Sequence, residues 1–179
     1  RSQARLEVDV RARVTFGDER VRSVLEAIVH VRRAPVGELA FALPGLDEVR
    51  AVECAGLSTW WLDGQGEGRR LLVRMSDLFE GDRTITVRLE RRLAGQRDGI
   101  AVPRLALEGA QADRGLLVLF ALPDVEPTPG TVPGLKTLPP ARLEGQEPNV
   151  AGARATHAFA WDATVGAALP VAVRTPDQE

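Results

Sequence analysis

Along "ARLEVDVRARVTF", apolar side chains fall on every second position. Leu6, Val8, Val10, Ala12, Val14 and Phe16 share one parity, while Arg5, Glu7, Asp9, Arg11, Arg13 and Thr15 share the other. A period of two sustained over a dozen residues predicts a strand with one buried face and one wet face. Gly17 and Asp18 end it. The next run, 19–31, reads two ways. Val21, Val24, Leu25, Ile28 and Val29 have helical spacing, with Asp18 placed to cap. Val21, Leu25, Ala27, Val29 and Val31 also share a parity, in a stretch rich in β-branched residues. The strand reading is preferred, because strands flank the run and a hairpin is the shortest connection.

Further strands follow at close spacing. They are "VGELAFALPG" with Leu39, Phe41 and Leu43 inward, "DEVRAVECAG", "LSTWWL", "RRLLVRM", and "RTITVRLERRL" after the connection "SDLFEGD". Then come "IAVPRLAL", "GLLVLFAL", "RATHAFAW" and "ALPVAVR". Short strands punctuated by Gly and Pro predict an all-β chain, an antiparallel β-sandwich or an extended two-part sandwich. Composition shifts at Pro123, where Pro127, Pro129, Pro133, Pro139, Pro140 and Pro148 follow within one stretch. Proline withholds a ladder donor and stiffens an extended chain. The expected organisation is a β-sandwich domain over 1–122 and a Pro-rich crossover or linker over 123–150. Terminal strands over 151–179 either complete the sandwich or start a second β unit.

The bulk numbers narrow the function classes. At 179 residues, 44% hydrophobic and 27% charged, the chain has a globular composition. A net charge of -2 gives no global field toward nucleic acid or anionic membranes. Cys54 is the single cysteine, so neither an intramolecular disulfide nor a cysteine-based metal cluster is available. No apolar run reaches the roughly 18 residues of a membrane span. The start at Arg1, without a signal peptide, reads as a piece of a longer chain.

Candidate chemistry centres on "STWWLDGQGEGRR". Its glycines lack the Gly-Lys-Ser/Thr that opens a phosphate-binding helix, and a β-type run follows them, so they predict a hairpin tip. Trp60 and Trp61 are neighbours and must point to opposite faces of their strand, although the pattern does not say which indole is core. Trp60, Trp61, Arg69 and Arg70 form the candidate interaction surface, for protein contact or for sugar stacking. Sugar surfaces usually want further aromatics, and the chain has no Tyr. His30 is expected on the wet face of its strand. His157 shares a parity with Phe159 and Trp161 and is expected to be partly buried. Neither lies in a zinc-type spacing, no G-x-S-x-G elbow is present, and Cys54 reads as a small core residue. The expectation is no catalytic residue, no metal and no cofactor.

The run "VGELAFALPGLDEVRAVECAG…WW…RRLLVRMSDLFEGDRTITVRLERRL", continued by "VPRLALEGAQADRGLLVLFALPD" and "THAFAWDATVGAALPVAVR", resembles β-sandwich domains of large bacterial envelope proteins. More remotely, it resembles the saddle-shaped N-terminal β domain of the M1 aminopeptidases. HExxH and the Gly-x-Met-Glu-Asn motif of those peptidases are both absent, so no catalytic residue carries over. The resemblance implies a non-catalytic, extracytoplasmic module (periplasmic or cell-envelope) of a larger bacterial protein. Its expected partner is another protein or the rest of its own chain. The alternatives are a carbohydrate-binding module and the accessory β domain of an enzyme whose catalytic part lies elsewhere. Neither nucleic-acid binding nor membrane insertion is expected.

Overall fold

The computed structural model describes residues 3–176. The outer ends of the 1–122 and 151–179 segments therefore lie outside the described residues. The chain is all-β: 61% of it is strand, and no helix among the described residues reaches seven residues. Twelve strands run in order: β1 (Arg5–Phe16), β2 (Arg20–Ala42), β3 (Glu48–Glu53), β4 (Leu57–Asp63), β5 (Arg70–Arg92), β6 (Ile100–Ala101), β7 (Ala106–Leu107), β8 (Ala110–Ala121), β9 (Glu126–Pro129), β10 (Lys136–Thr137), β11 (Arg154–Trp161) and β12 (Pro170–Arg174). They make two sheets. The larger has the path β10-β11-β8-β1-β2-β5-β3, with β4 also on β5 and β7 also on β2; the smaller is β6-β12-β9.

The 19–31 ambiguity resolves as strand, because β1 offers this segment a complete partner. Arg5 pairs with Arg32 and Phe16 with Val21, with unbroken register between them. A helix here would leave the donors and acceptors of β1 without that ladder. On β1 the even positions from Val8 to Phe16 are buried as alternation requires. Thr15 departs from the pattern. It belongs to the polar parity yet is buried, because Asn149 crosses over it and accepts its hydroxyl at 2.6 Å.

Two expected breaks are not breaks. "ERVRSVLEAIVHVRR" and "VGELAFA" are one strand, β2. "RRLLVRM", "SDLFEGD" and "RTITVRLERRL" are likewise one strand, β5. The β2–β5 ladder is interrupted between Val31 and Val36 and again before Glu38, where Arg33 adopts φ 74°. At this bulge the ribbon bends. A straight strand of 23 residues would span roughly 70 Å. Yet Arg69, just before β5, donates to the Asp47 carbonyl at 2.6 Å, and Glu90, near the other end of β5, pairs with Glu48. Both ends of β5 meet the same turn, so the ribbon curls over itself. Its two halves feed one core, which holds Leu39, Phe41, Leu71 and Val73 from one half and Leu25, Ala27, Ile85 and Val87 from the other.

A second departure is local. "IAVPRLAL" splits at Pro103 into β6, which joins β12 in the small sheet, and β7, which joins β2 in the large one. A third concerns direction. β1 and β8 pair in parallel, whereas every other ladder among the described residues is antiparallel. β8 reads as the near-continuous apolar run "GLLVLFA" because it is covered on both faces. Leu117 and Leu119 enter the main core. Val118 and Phe120 enter a smaller cluster with Ala158, roofed by Leu138, Leu143, Ala153 and Ala155. That roof comes from the Pro-rich stretch and its exit. β9 pairs with β12 and β10 with β11, so the stretch is tied to the two strands that follow it.

Candidate functional site

The hairpin tip is built as the glycines require. β4 and β5 pair antiparallel, with Leu62 opposite Leu71 and Asp63 opposite Arg70, and a 3-10 turn at Gly66–Gly68 closes the end. Gly64 has φ 76°, and a Cβ there would lie 2.7 Å from the Gly68 carbonyl oxygen, so only glycine fits. The tip is tied down by the 43–47 turn. Leu43 N–H donates to Arg69 O, and Gly45 N–H donates to Gly66 O.

The structure assigns the two indoles. Trp60 lies opposite Val73 and packs, half-buried, against the main core. Trp61 points to the other face, also half-buried, with the Arg74 guanidinium 4.9 Å from its ring centroid. That is a cation–π contact, and it occupies one face of the indole. β4 pairs only with β5, so its second edge carries no ladder partner among the described residues. Leu62, on that edge strand, is 40% exposed.

The two arginines part company. Arg69 was expected at the interaction surface, but it is buried. Its Nε donates to Leu43 O at 2.7 Å and its Nη1 to Asp47 O at 2.6 Å. Burial lowers its affinity for its proton, partly offset by Asp47, and burial pushes the Asp47 carboxyl up. Arg69 therefore clamps the turn and is not offered to a partner. Arg70 does face solvent, where it forks onto Glu108 at 2.7 and 2.8 Å, with Asp63 at 3.5 Å. The hydrogen bonds that Arg70 donates hold Glu108 below the ordinary carboxylate range. Trp61, Arg70 and Arg74 thus share one outer region of the hairpin, while Trp60 and Arg69 serve its inside.

A polar array that sequence reading missed crosses the outer face of the large sheet. His30 Nδ1 lies 2.8 Å from Asp82 Oδ1, and His30 Nε2 lies 2.8 Å from Asp9 Oδ2. Arg32 donates to Asp82 at 2.8 Å, and Arg114 donates to Asp9 at 2.9 Å. An imidazole with a carboxylate on each nitrogen can satisfy both only as imidazolium. Hydrogen bonds to Asp82 and then Asp9 accordingly raise its pKa. Arg114 first, then His30, lower that of Asp9 against the opposing effect of burial; His30 first, then Arg32, lower that of Asp82. The alternation of charged residues was visible in the sequence, but the strand order β8-β1-β2-β5 that aligns them was not. His157 behaves in the opposite way. It stacks on Phe159 with ring centroids 6.5 Å apart, its Nδ1 lies 2.9 Å from Thr156 Oγ1, and burial lowers its pKa. Cys54 is half-buried against the main core, and burial raises its thiol pKa. Among the described residues, no group of three or more His, Cys, Asp or Glu is arranged to hold a metal ion, and no helix is long and apolar enough to cross a membrane.

No protein-family profile and no curated protein matches the sequence. Solved structures do. The M1 zinc metallopeptidase from Deinococcus radiodurans superposes with a TM-score of 0.52 at 9% identity, over 96% of this chain and 42% of that one. A two-domain M1 zinc metallopeptidase mutant bound to L-tryptophan gives 0.52 at 8%, over 96% and 43%. A mutant of the Deinococcus radiodurans enzyme bound to a Tyr-Ser-Ala substrate gives 0.52 at 8%, over 94% and 42%. The chain therefore spans less than half the length of the peptidases it superposes on. At such identity the likeness concerns the fold alone, which resembles the N-terminal domain of M1 metallopeptidases. The expected likeness to envelope-protein sandwiches finds no support among these structures, and the fold is the one that the remoter resemblance named.

Proposed function

We propose that this chain is a non-catalytic β domain, accessory to a catalytic domain carried on the same longer polypeptide and in contact with it. One observation carries the reading. Nearly the whole chain adopts a fold that forms well under half of M1 zinc metallopeptidases. The domain's task is then structural: its curled ribbon supplies a stiff surface, and its partner is the remainder of the parent. We place that contact on the outer hairpin region, where β4 has a free edge and Trp61 stands with Arg74 and Arg70. Large aromatic side chains beside arginine are the residue types that dominate protein interfaces.

The test is expression of this chain alone and of the full natural reading frame that encodes it. The isolated chain is expected to fold, to hold no stoichiometric zinc and to leave aminoacyl-coumarin amides uncleaved. The longer product is expected to cleave them and to protect the β4 amides from hydrogen exchange relative to the isolated chain. Turnover by the isolated chain, or a reading frame whose product shows no peptidase activity, would overturn the proposal.

A further inference from the structure

Between the two sheets lies a half-open cavity of about 60 Å³. A water needs roughly 10–15 Å³ of such space, so the cavity suits a group the size of a short branched alkyl chain. Its floor is the apolar face of β1, β2 and β8, with Val10, Ala12, Leu25 and Leu117. Its wall is the stretch around Pro103, and its mouth is the loop between β11 and β12.

Two ionisable groups face it, and their situations differ. The Arg104 guanidinium sits at the mouth with its partners supplied: Nη1 donates to Val165 O at 3.1 Å and Nη2 to the Glu67 carboxylate at 3.4 Å, leaving only Nε without an acceptor. Asp113 is 6% exposed and takes part in no ion pair among the described residues. Its carboxylate accepts two neutral donors, Trp161 Nε1 at 3.0 Å and Thr164 Oγ1 at 2.9 Å. A carboxylate has about four lone-pair positions, so acceptor capacity remains. The Trp161 ring, which lines the cavity, is seated on Gly115, where any Cβ would collide with the indole. The wall thus combines apolar surface, an aromatic ring and one buried carboxylate that forms no ion pair among the described residues, with Arg104 also on the lining.

We infer that this cavity is a binding site for a small aliphatic primary ammonium. The alkyl body lies on Val10, Ala12 and Leu117, and the ammonium donates to Asp113 beside the Trp161 ring. A buried carboxylate gains most from a partner that is both charged and a hydrogen-bond donor, and an aromatic face attracts the same charge. Arg104 has both Nη groups engaged, by Val165 O and Glu67, and only its single Nε donor is left facing inward, whereas Asp113 offers acceptor capacity on a full carboxylate.

The experiment titrates the chain with isobutylamine, isobutanol and isobutyrate. It uses a Trp60→Phe/Trp61→Phe background, in which the third tryptophan, Trp161, is the sole indole emitter. Isobutylamine is expected to change Trp161 emission saturably, with isobutanol at least about tenfold weaker and isobutyrate silent. Asp113→Asn keeps an acceptor for the indole and is expected to cut amine affinity by about tenfold while leaving the alcohol unchanged. Ala167→Phe, at the exposed mouth, is expected to abolish binding with the fold intact, so the site is tested even if Asp113→Asn fails to fold. Equal affinity for amine and alcohol would refute the proposal. So would a preference for isobutyrate, amine binding that survives either variant, or no saturable binding of any probe.

Discussion

The centre of the large sheet and the β4–β5 hairpin obey the same period of two, yet the period means different things in each. On β1, flanked by β2 and β8, the apolar parity from Val8 to Phe16 is buried, most of it completely. On β4, an edge strand, the same alternation sends Trp60 inward and Trp61 outward, but both indoles are only half-buried. Alternation decides which way a side chain points. Position in the sheet decides how much water it loses, because a central strand has neighbours on both sides and an edge strand has one. The energetic weight of a residue therefore follows strand order more than its place in the pattern.

Four measurements test that contrast by chemical denaturation, the largest effect first. Val14→Asp, at the fully buried centre of β1, is expected to cost about 3 kcal/mol or more, while Arg11→Ala on the exposed parity costs under about 0.5. Equal losses would remove the one-face reading of β1. At the edge, Trp60→Ala is expected to cost about 2–4 kcal/mol, the lower part of the range for large core truncations because its burial is partial. Trp61→Ala is expected to cost no more than about 1 kcal/mol, chiefly the contact with Arg74. Matching losses at the two positions would mean that both faces of β4 are covered alike.

Gly64→Ala probes the hairpin tip itself. Its left-handed backbone and the approach of Gly68 O give an expected loss of about 1–2 kcal/mol. A neutral result would mean that the tip relaxes freely. The smallest effect belongs to the outer face of the centre. Because the His30 pKa is raised on folding, its contribution is fully present below the unfolded value of about 6.5 and is lost as pH rises through the folded value. Asp9 and Asp82 are lowered, so their contribution is present above about 4 and fades at lower pH. His30→Gln is therefore expected to destabilise by about 0.5–1 kcal/mol near pH 5.5 and by less at pH 8.5. His157, with a lowered pKa, works in the opposite sense, since its contribution is lost as pH falls below about 6.5. A His30→Gln penalty that grew with pH would show that the two-carboxylate arrangement does not hold in solution.

The legible part of the site was its local part. The hairpin, its glycine tip and the opposed indoles all follow from residues within a dozen positions of one another. Arg69 was misplaced because its partners, Leu43 O and Asp47 O, belong to a turn more than twenty residues earlier. Nothing in "GRR" distinguishes a clamp from a surface charge. The His30 array and the Asp113–Trp161 contact were invisible for the same reason: each joins strands distant in sequence, at separations of 52 and 48 residues.

By itself the sequence determined the strand content, the faces of β1, β2 and β5, the hairpins and the fold class. These depend on backbone alternation and on turn residues, which are properties of neighbours along the chain. Tertiary structure decided that two apparent pairs of strands are single long strands bent at a bulge. It also decided that β8 lies parallel to β1 and that the prolines roof Val118 and Phe120. Each of these depends on what covers a strand's second face or second edge. A strand's own residues specify two faces and two edges but not the segments that will occupy them, and that choice is made only when distant parts of the chain compete to bury the same apolar surface.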